Sequence, residues 1–328
     1  MRKLRLSALA AAAAVALALA GCSSGSLSGE TTAPTSAAGG GDLTPVTVGL
    51  LQIAPHAAVQ LAIDEGIFEK HGLDVTVQLG QGGAALLPAV TSGSIQFAVG
   101  NPLSVLVAAS QGLEMSMIAG YSHLPEEDPA SGLVVRADSG ITSYADLEGQ
   151  TVAVNAVNTQ GDLGTMGSVA QDGGDPSKVT FTEIAFPDML AQLEQGNIDA
   201  AWLPEPFLSA ALDTEGVAWL GNPLAVIPGL YTTITFTSAT YAAENPDIVK
   251  AFADGIAEAT QFAMDNEDQN REAIVSYTGM PAEVVDNIRL EILSGDLDPT
   301  IIEDLSALAL EYGFIDSEPD LGTVIAIP

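Results

Sequence analysis

Two carboxylates, Asp188 and Glu205, stand in the proline-flanked stretches Pro187-Asp188 and Pro204-Glu205-Pro206, with no Lys or Arg close by in the chain. A loop carboxylate of this kind is either simply solvated or available to a cationic group. Trp202 and Tyr121 would offer rings against which an amine or heteroaromatic ring could stack, although Trp202 sits within a strand pattern and equally suits a core. Neutral groups form a second set: Gln52, Pro55 and His56, then Gln81, Gly82 and Gly83, then Asn101 and Pro102, then Thr159 and Gln160. Gly82 and Gly83 let the backbone approach closely and leave amides at a helix start, which suits an anionic or carbonyl group; a plain tight turn is the alternative. The Asn101 amide could donate and accept at once, or simply form a turn. Thr159 and Gln160 open a helix, where a hydroxyl and amides face a ligand or cap the helix. His56 could hydrogen-bond or titrate with a ligand, or be structural. There is no nucleophile paired with a base, no HExxH and no phosphate loop, and Cys22 is the lone cysteine. These residues suit reversible binding, with no catalytic group, no cofactor and no metal expected.

The elements that must hold these residues follow from hydrophobic periodicity. VTVGLLQI from Val46 alternates as a strand, Ala57 to Lys70 has helix spacing, and strands DVTVQL and SIQFAV follow around a helix from about Ala84 to Thr91. This βαβαβ order favours a mainly parallel sheet with right-handed crossovers. Most of the stretch Gln78 to Ser104 returns about a hundred residues later as LAQLEQGNIDAAWLPEPF from Leu190, laying Gly93 on Gly196, Ile95 on Ile198 and Val99 on Trp202. The repeat predicts two similar α/β lobes. Ligands of open α/β sheets sit outside the carboxyl ends of the strands, where the candidate residues fall. Helices are expected near 246 to 266, 268 to 278, 281 to 293 and 300 to 312, with Pro246, Pro281 and Pro299 at helix starts.

The chain has 328 residues, 47% of them hydrophobic, enough for one large or two medium cores. Its formal charge of −33 reflects nine Lys and Arg against 42 Asp and Glu. Such a surface repels phosphates and anionic headgroups, so nucleic-acid binding is excluded. The expected boundaries are a signal segment over 1–21, a flexible tether over 22–44, a first lobe over 45–136, a second over 137–229, and a return to the first lobe with C-terminal helices over 230–328.

Arg2 to Arg5, the apolar run Leu6 to Leu17 and Leu19-Ala20-Gly21-Cys22 resemble a bacterial lipoprotein signal with its lipobox. The resemblance implies export and a diacylglycerol on Cys22. The run is too short to span a bilayer comfortably. The segments GIFEKHGLDV, QGGAALLPAVTSGSIQFAVGNP, ITSYADLEGQTVAV and LAQLEQGNIDAAWLPEP are similar to those of the substrate-binding lipoproteins of ABC importers of the nitrate/sulfonate/taurine type, which share their fold with thiamine-precursor proteins. The resemblance implies a type II periplasmic-binding-protein fold, two lobes closing by a hinge, ABC permease and ATPase partners, and a monomer tethered outside the cell membrane. It leaves the ligand open among amines, heteroaromatics and sulfonate-like molecules. A thiamine-pyrimidine synthase on the same fold would need a cofactor-holding Lys and a Cys-rich motif, which this chain lacks. A ligand-sensing lipoprotein without transport stays open beside the importer.

Overall fold

The computed structural model describes residues 43–80 and 82–328; the signal segment, Cys22, the tether up to residue 42, and Gln81 lie outside the described residues. The described residues form one compact unit. It holds two sheets. The first runs in the order β11-β4-β10-β3-β1-β2 and the second β7-β6-β8-β5-β9. The strands are β1 (Thr44–Leu51), β2 (Leu73–Gly80), β3 (Phe97–Gly100), β4 (Met115–His123), β5 (Ser131–Arg136), β6 (Thr151–Val154), β7 (Thr180–Glu183), β8 (Ala200–Pro204), β9 (Val217–Gly221), β10 (Tyr231–Ser238) and β11 (Ile292–Leu293).

Within each sheet the βαβ units give parallel pairs, β1 with β2 and β3, and β6 with β7 and β8. The strands that carry the chain between sheets break this pattern. After β4 the chain passes to the second sheet, where β5 pairs antiparallel with β8 and β9. It returns as β10, antiparallel to both β3 and β4. A strand entering from the other lobe needs no helical crossover, so it is not bound to the parallel direction. The sequence boundaries put residues 131–136 in the first lobe; their pairing puts them in the second sheet, so the chain crosses at about 124–130.

The two copies of the repeat are a helix, a left-handed glycine and a strand. Gly83–Thr91, Gly93 and β3 form the first; Phe186–Glu194, Gly196 and β8 form the second. Gly93 and Gly196 have φ of 73° and 72°, a conformation costly for residues with a Cβ. Ile95 and Ile198 plug the core at equivalent points. On the first sheet's outer face Phe97 stacks on Phe252 with ring centroids 3.9 Å apart, and Phe252 stacks on Phe68. Each such buried aromatic contributes about 1.5–3 kcal/mol. Phe252 comes from the helix Pro246–Asp265, which packs on this face with the helix Ala57–Asp64.

The helix expected over 281–293 is instead one turn, Ala282–Val285, and an extended run into β11. Competing partners take up its backbone: Arg289 N donates to the Glu205 carboxylate at 3.3 Å, and Leu293 pairs with Ser122 of β4. This departure from helix brings Arg289 and Glu291 to the junction of the lobes.

Candidate functional site

The lobes meet where the strands β1, β3, β6 and β8 end. Ala54 N donates to Glu205 O at 3.0 Å, and Gln160 Nε2 donates to Tyr231 O at 2.7 Å. The Gly82 turn also comes against the second lobe, since a Cβ there would lie 3.0 Å from Asn155 Nδ2. Between these contacts is a narrow cleft with a cavity volume of about 40 Å³. The first lobe lines it with Leu51, Ile53, Gly100, Asn101, Thr232 and Thr233, the second with Ser131, Asn155, Thr159, Gln160, Phe186, Trp202 and Pro204, and the C-terminal segment adds Glu291.

Of the residues expected at a site, Asn101, Thr159, Gln160 and Trp202 line this cleft. Asn101 Oδ1 caps the helix Pro102–Ser110 through Ser104 N at 2.8 Å, with Pro102 buried in the first turn. The Thr159 hydroxyl donates to Ala156 O at 2.8 Å, so it braces its own loop. Asp162 accepts from Asn158 N and Thr159 N at 2.6 and 2.7 Å, closing the start of the helix Gln160–Gln171. Gln160 is 2% exposed. Its Nε2 is fixed by the Tyr231 carbonyl, which turns Oε1 the other way, buried and without a hydrogen-bond partner. That partner also settles which end of the amide is which.

Trp202 is at the edge of the core and the cleft together. Its ring meets Phe186 edge to face at 5.9 Å, and Gly161 packs so closely that a Cβ would lie 2.8 Å from its ring. Its Nε1 is buried with no partner, as is the hydroxyl of Ser131. Buried polar groups nearly always find a partner. Here a donor, an acceptor and a hydroxyl stand without one around a single space.

Other expected residues are elsewhere. His56 is fully buried away from the cleft, its Nδ1 accepting from Leu51 N at 2.9 Å, and burial pushes its imidazole down to about 3. It is a neutral structural residue. Tyr121 is not a stacking surface: it is fully buried and its hydroxyl donates to Pro55 O at 2.7 Å. Pro55 is thereby held inside the turn Ala54–His56. Gln52 reaches outward to Tyr277 O and Thr278 O. Asp188 is exposed on the first turn of the helix Phe186–Glu194 and does not line the cleft.

Glu205 is 1% exposed but is spent on structure. Its carboxylate accepts from Ser209 N at 3.0 Å, Ser209 Oγ at 2.7 Å and Arg289 N, and faces the Arg289 guanidinium at 3.5 Å. Burial raises its pKa, and the Ser209 and Arg289 contacts offset part of that rise. Arg289 also pairs with Asp128 in the crossover. The carboxylate that does line the cleft is Glu291, 6% exposed, with Thr232 Oγ1 donating to it. Sequence periodicity hides Glu291 by assigning it to a helix far from any strand-end loop. It hides Ser131 by leaving β5 in the first lobe.

Two α/β lobes joined by crossing segments, with a cleft between their strand ends, define the periplasmic-binding-protein architecture. The fold matches the alkanesulfonate-binding protein SsuA from Xanthomonas axonopodis pv. citri bound to MOPS, with a TM-score of 0.74 and 17% identity over 87% of this chain and 100% of that one. The NMT1/THI5 like family profile matches residues 54–270, and the chain belongs to that family. The taurine-binding periplasmic protein of Escherichia coli (strain K12) is 25% identical over 249 residues, 72% of this chain and 73% of that protein. The formylaminopyrimidine-binding protein of Halalkalibacterium halodurans is 23% identical over 221 residues, 66% and 64% of the two chains.

Proposed function

We propose that this protein is the extracytoplasmic solute-binding component of an ABC importer, closing two lobes on a small organic molecule and presenting it to a permease. The observation that carries this reading is the cleft itself. Residues of both lobes and of the C-terminal segment line one space, and Trp202 Nε1, Gln160 Oε1 and Ser131 Oγ face burial there without a protein partner. A bound solute would satisfy them. Relatives named for taurine and for a formylaminopyrimidine support the same role.

The lipobox-like Leu19-Ala20-Gly21-Cys22 supports anchoring through a diacylglycerol on Cys22, whose two acyl chains would make the attachment durable. Cys22→Ser is expected to move the protein from the membrane fraction to the soluble one; an unchanged membrane fraction would refute the anchor. The binding role is tested by thermal unfolding of the full chain in detergent against a panel of amines, sulfonates, aminopyrimidines and aromatic acids. A compound at a hundred times its dissociation constant adds about 2.7 kcal/mol of stability. A panel with no stabilising member would count against solute binding.

A further inference from the structure

The hydrogen-bonding capacity of the cleft points to one ligand chemistry. None of the residues lining it is Lys or Arg. Among the described residues, Lys70 pairs with Glu258, Lys178 with Glu148, Lys250 with Asp254 and Arg271 with Glu267. Arg136 Nη1 donates to the carbonyls of Leu193 and Ile198, and Arg289 is taken by Asp128 and Glu205. The lining does contain a buried carboxylate. Thr232 Oγ1 donates to one oxygen of Glu291, and the Ser122 hydroxyl lies 2.7 Å from Thr232 Oγ1. A neutral hydroxyl does not neutralise a buried charge, and burial raises the Glu291 pKa, so its carboxyl ionises most readily with a cationic partner beside it.

The groups without a protein partner lean the same way. Gln160 Oε1 only accepts, the Ser131 hydroxyl does both, and Trp202 Nε1 alone is limited to donating. A sulfonate or nitrate brings only acceptors and negative charge, and would meet neutral donors, among them the Trp202 indole, the Ser131 hydroxyl and the Asn101 amide, beside the Glu291 carboxyl and with no cation. An organic cation or amidine-type edge brings N–H donors to Glu291 and Gln160. An adjoining ring nitrogen or carbonyl can then accept from Trp202. Phe186 and Trp202 supply apolar wall for a planar ring.

We propose that Glu291 is the counter-charge of the cleft, and that the solute presents to it an N–H-rich cationic or amidine-type edge rather than an oxyanion. This rests on the solute-binding reading above and narrows it, setting the site apart from relatives named for sulfonates. It also replaces Glu205 and Asp188, the carboxylates that sequence alone suggests for the role.

The test uses the full chain in detergent with two probe sets: benzamidine, 4-aminopyrimidine and small primary amines against methanesulfonate, ethanesulfonate and nitrate. Calorimetry and thermal unfolding are expected to show binding in the first set, weakened tenfold or more by Glu291→Gln. Trp202→Phe, which keeps the wall and removes the indole N–H, should weaken the aminopyrimidine more than the simple amines and serves if the Glu291 variant does not fold. Binding of a sulfonate or nitrate that Glu291→Gln leaves unchanged or tightens overturns the inference while the solute-binding reading stands. Equal affinity of wild type and Glu291→Gln for the N–H donors also overturns it. No binding by either set would bring down both.

Discussion

His56 illustrates how burial decides the chemistry of a side chain. Its Nδ1 takes the Leu51 N–H at 2.9 Å, so the neutral ring carries its proton on Nε2, and burial holds its pKa down to about 3 against 6.5 for the ordinary group. The unfolded chain therefore binds a proton between those values that the folded chain refuses. Stability from this group is full above about pH 6.5 and falls as pH drops towards 3, by up to about 1.4 kcal/mol per pH unit. Asp162 has the opposite sign, because burial raises its pKa to about 6 and the folded state keeps the proton longer. Substituting only the histidine separates the two. In His56→Asn, where Oδ1 can replace Nδ1 as acceptor, the wild type should lose stability relative to the variant as pH falls from 7 to 4 in denaturant titrations. Parallel curves would refute a buried neutral imidazole. His56 is visible in the sequence as a loop residue at a strand end, but its burial under Tyr121 is not. Position along the chain shows where a side chain starts, whereas its direction depends on packing partners far away in sequence.

At the scale of elements, the repeated helix-glycine-strand unit is legible because both copies carry the same glycine for the same backbone reason. Gly93 has φ of 73°, and a Cβ added there would meet nothing within 4 Å. Gly93→Ala should therefore cost about 1–2 kcal/mol of stability through backbone conformation alone, with no change in affinity for any solute that the protein binds. Gly161 differs in kind. Its backbone conformation is open to alanine, but the new methyl would sit 2.8 Å from Trp202 Cε3 and 3.1 Å from Val154 Cγ1. Relief must come from the indole ring, since the helix Gln160–Gln171 is anchored by Asp162. Gly161→Ala is expected to cost about 1–3 kcal/mol and, unlike Gly93→Ala, to weaken solute binding by displacing Trp202. Comparable affinities in the two variants would show that the indole has no part in the site. What the repeat cannot reveal is the antiparallel entry of β5 and β10. Those strands are specified by pairing within their own sheet with strands distant in the chain, which no local periodicity records.

For the whole molecule the question is what holds the lobes together around the cleft. Arg289 belongs to the segment leading into β11 of the first sheet, yet its side chain reaches Asp128 in the crossover and Glu205 at the end of β8. Glu205 in turn accepts Ala54 N through its carbonyl. One guanidinium thus ties the C-terminal segment to the second lobe two residues before Glu291 enters the cleft. Two-lobed proteins of this kind move by hinge rotation, and a contact made only in the closed arrangement shifts the population towards it. Arg289→Met keeps the apolar stem, removes the charge and leaves Glu205 its Ser209 bonds and the backbone N–H of position 289. Proton uptake by Glu205, whose pKa burial already raises, would ease the loss, so the fold should survive. The variant is expected to bind any solute of the wild type about tenfold more weakly, equivalent to about 1.4 kcal/mol. Its dissociation should be faster, and solution scattering should give a larger radius of gyration at subsaturating solute. Arg289→Lys should recover part of the affinity, because one charge returns without the fork that spans two carboxylates. If affinity fell without any change in dimensions or dissociation rate, Arg289 would be acting on the cleft's electrostatics rather than on closure.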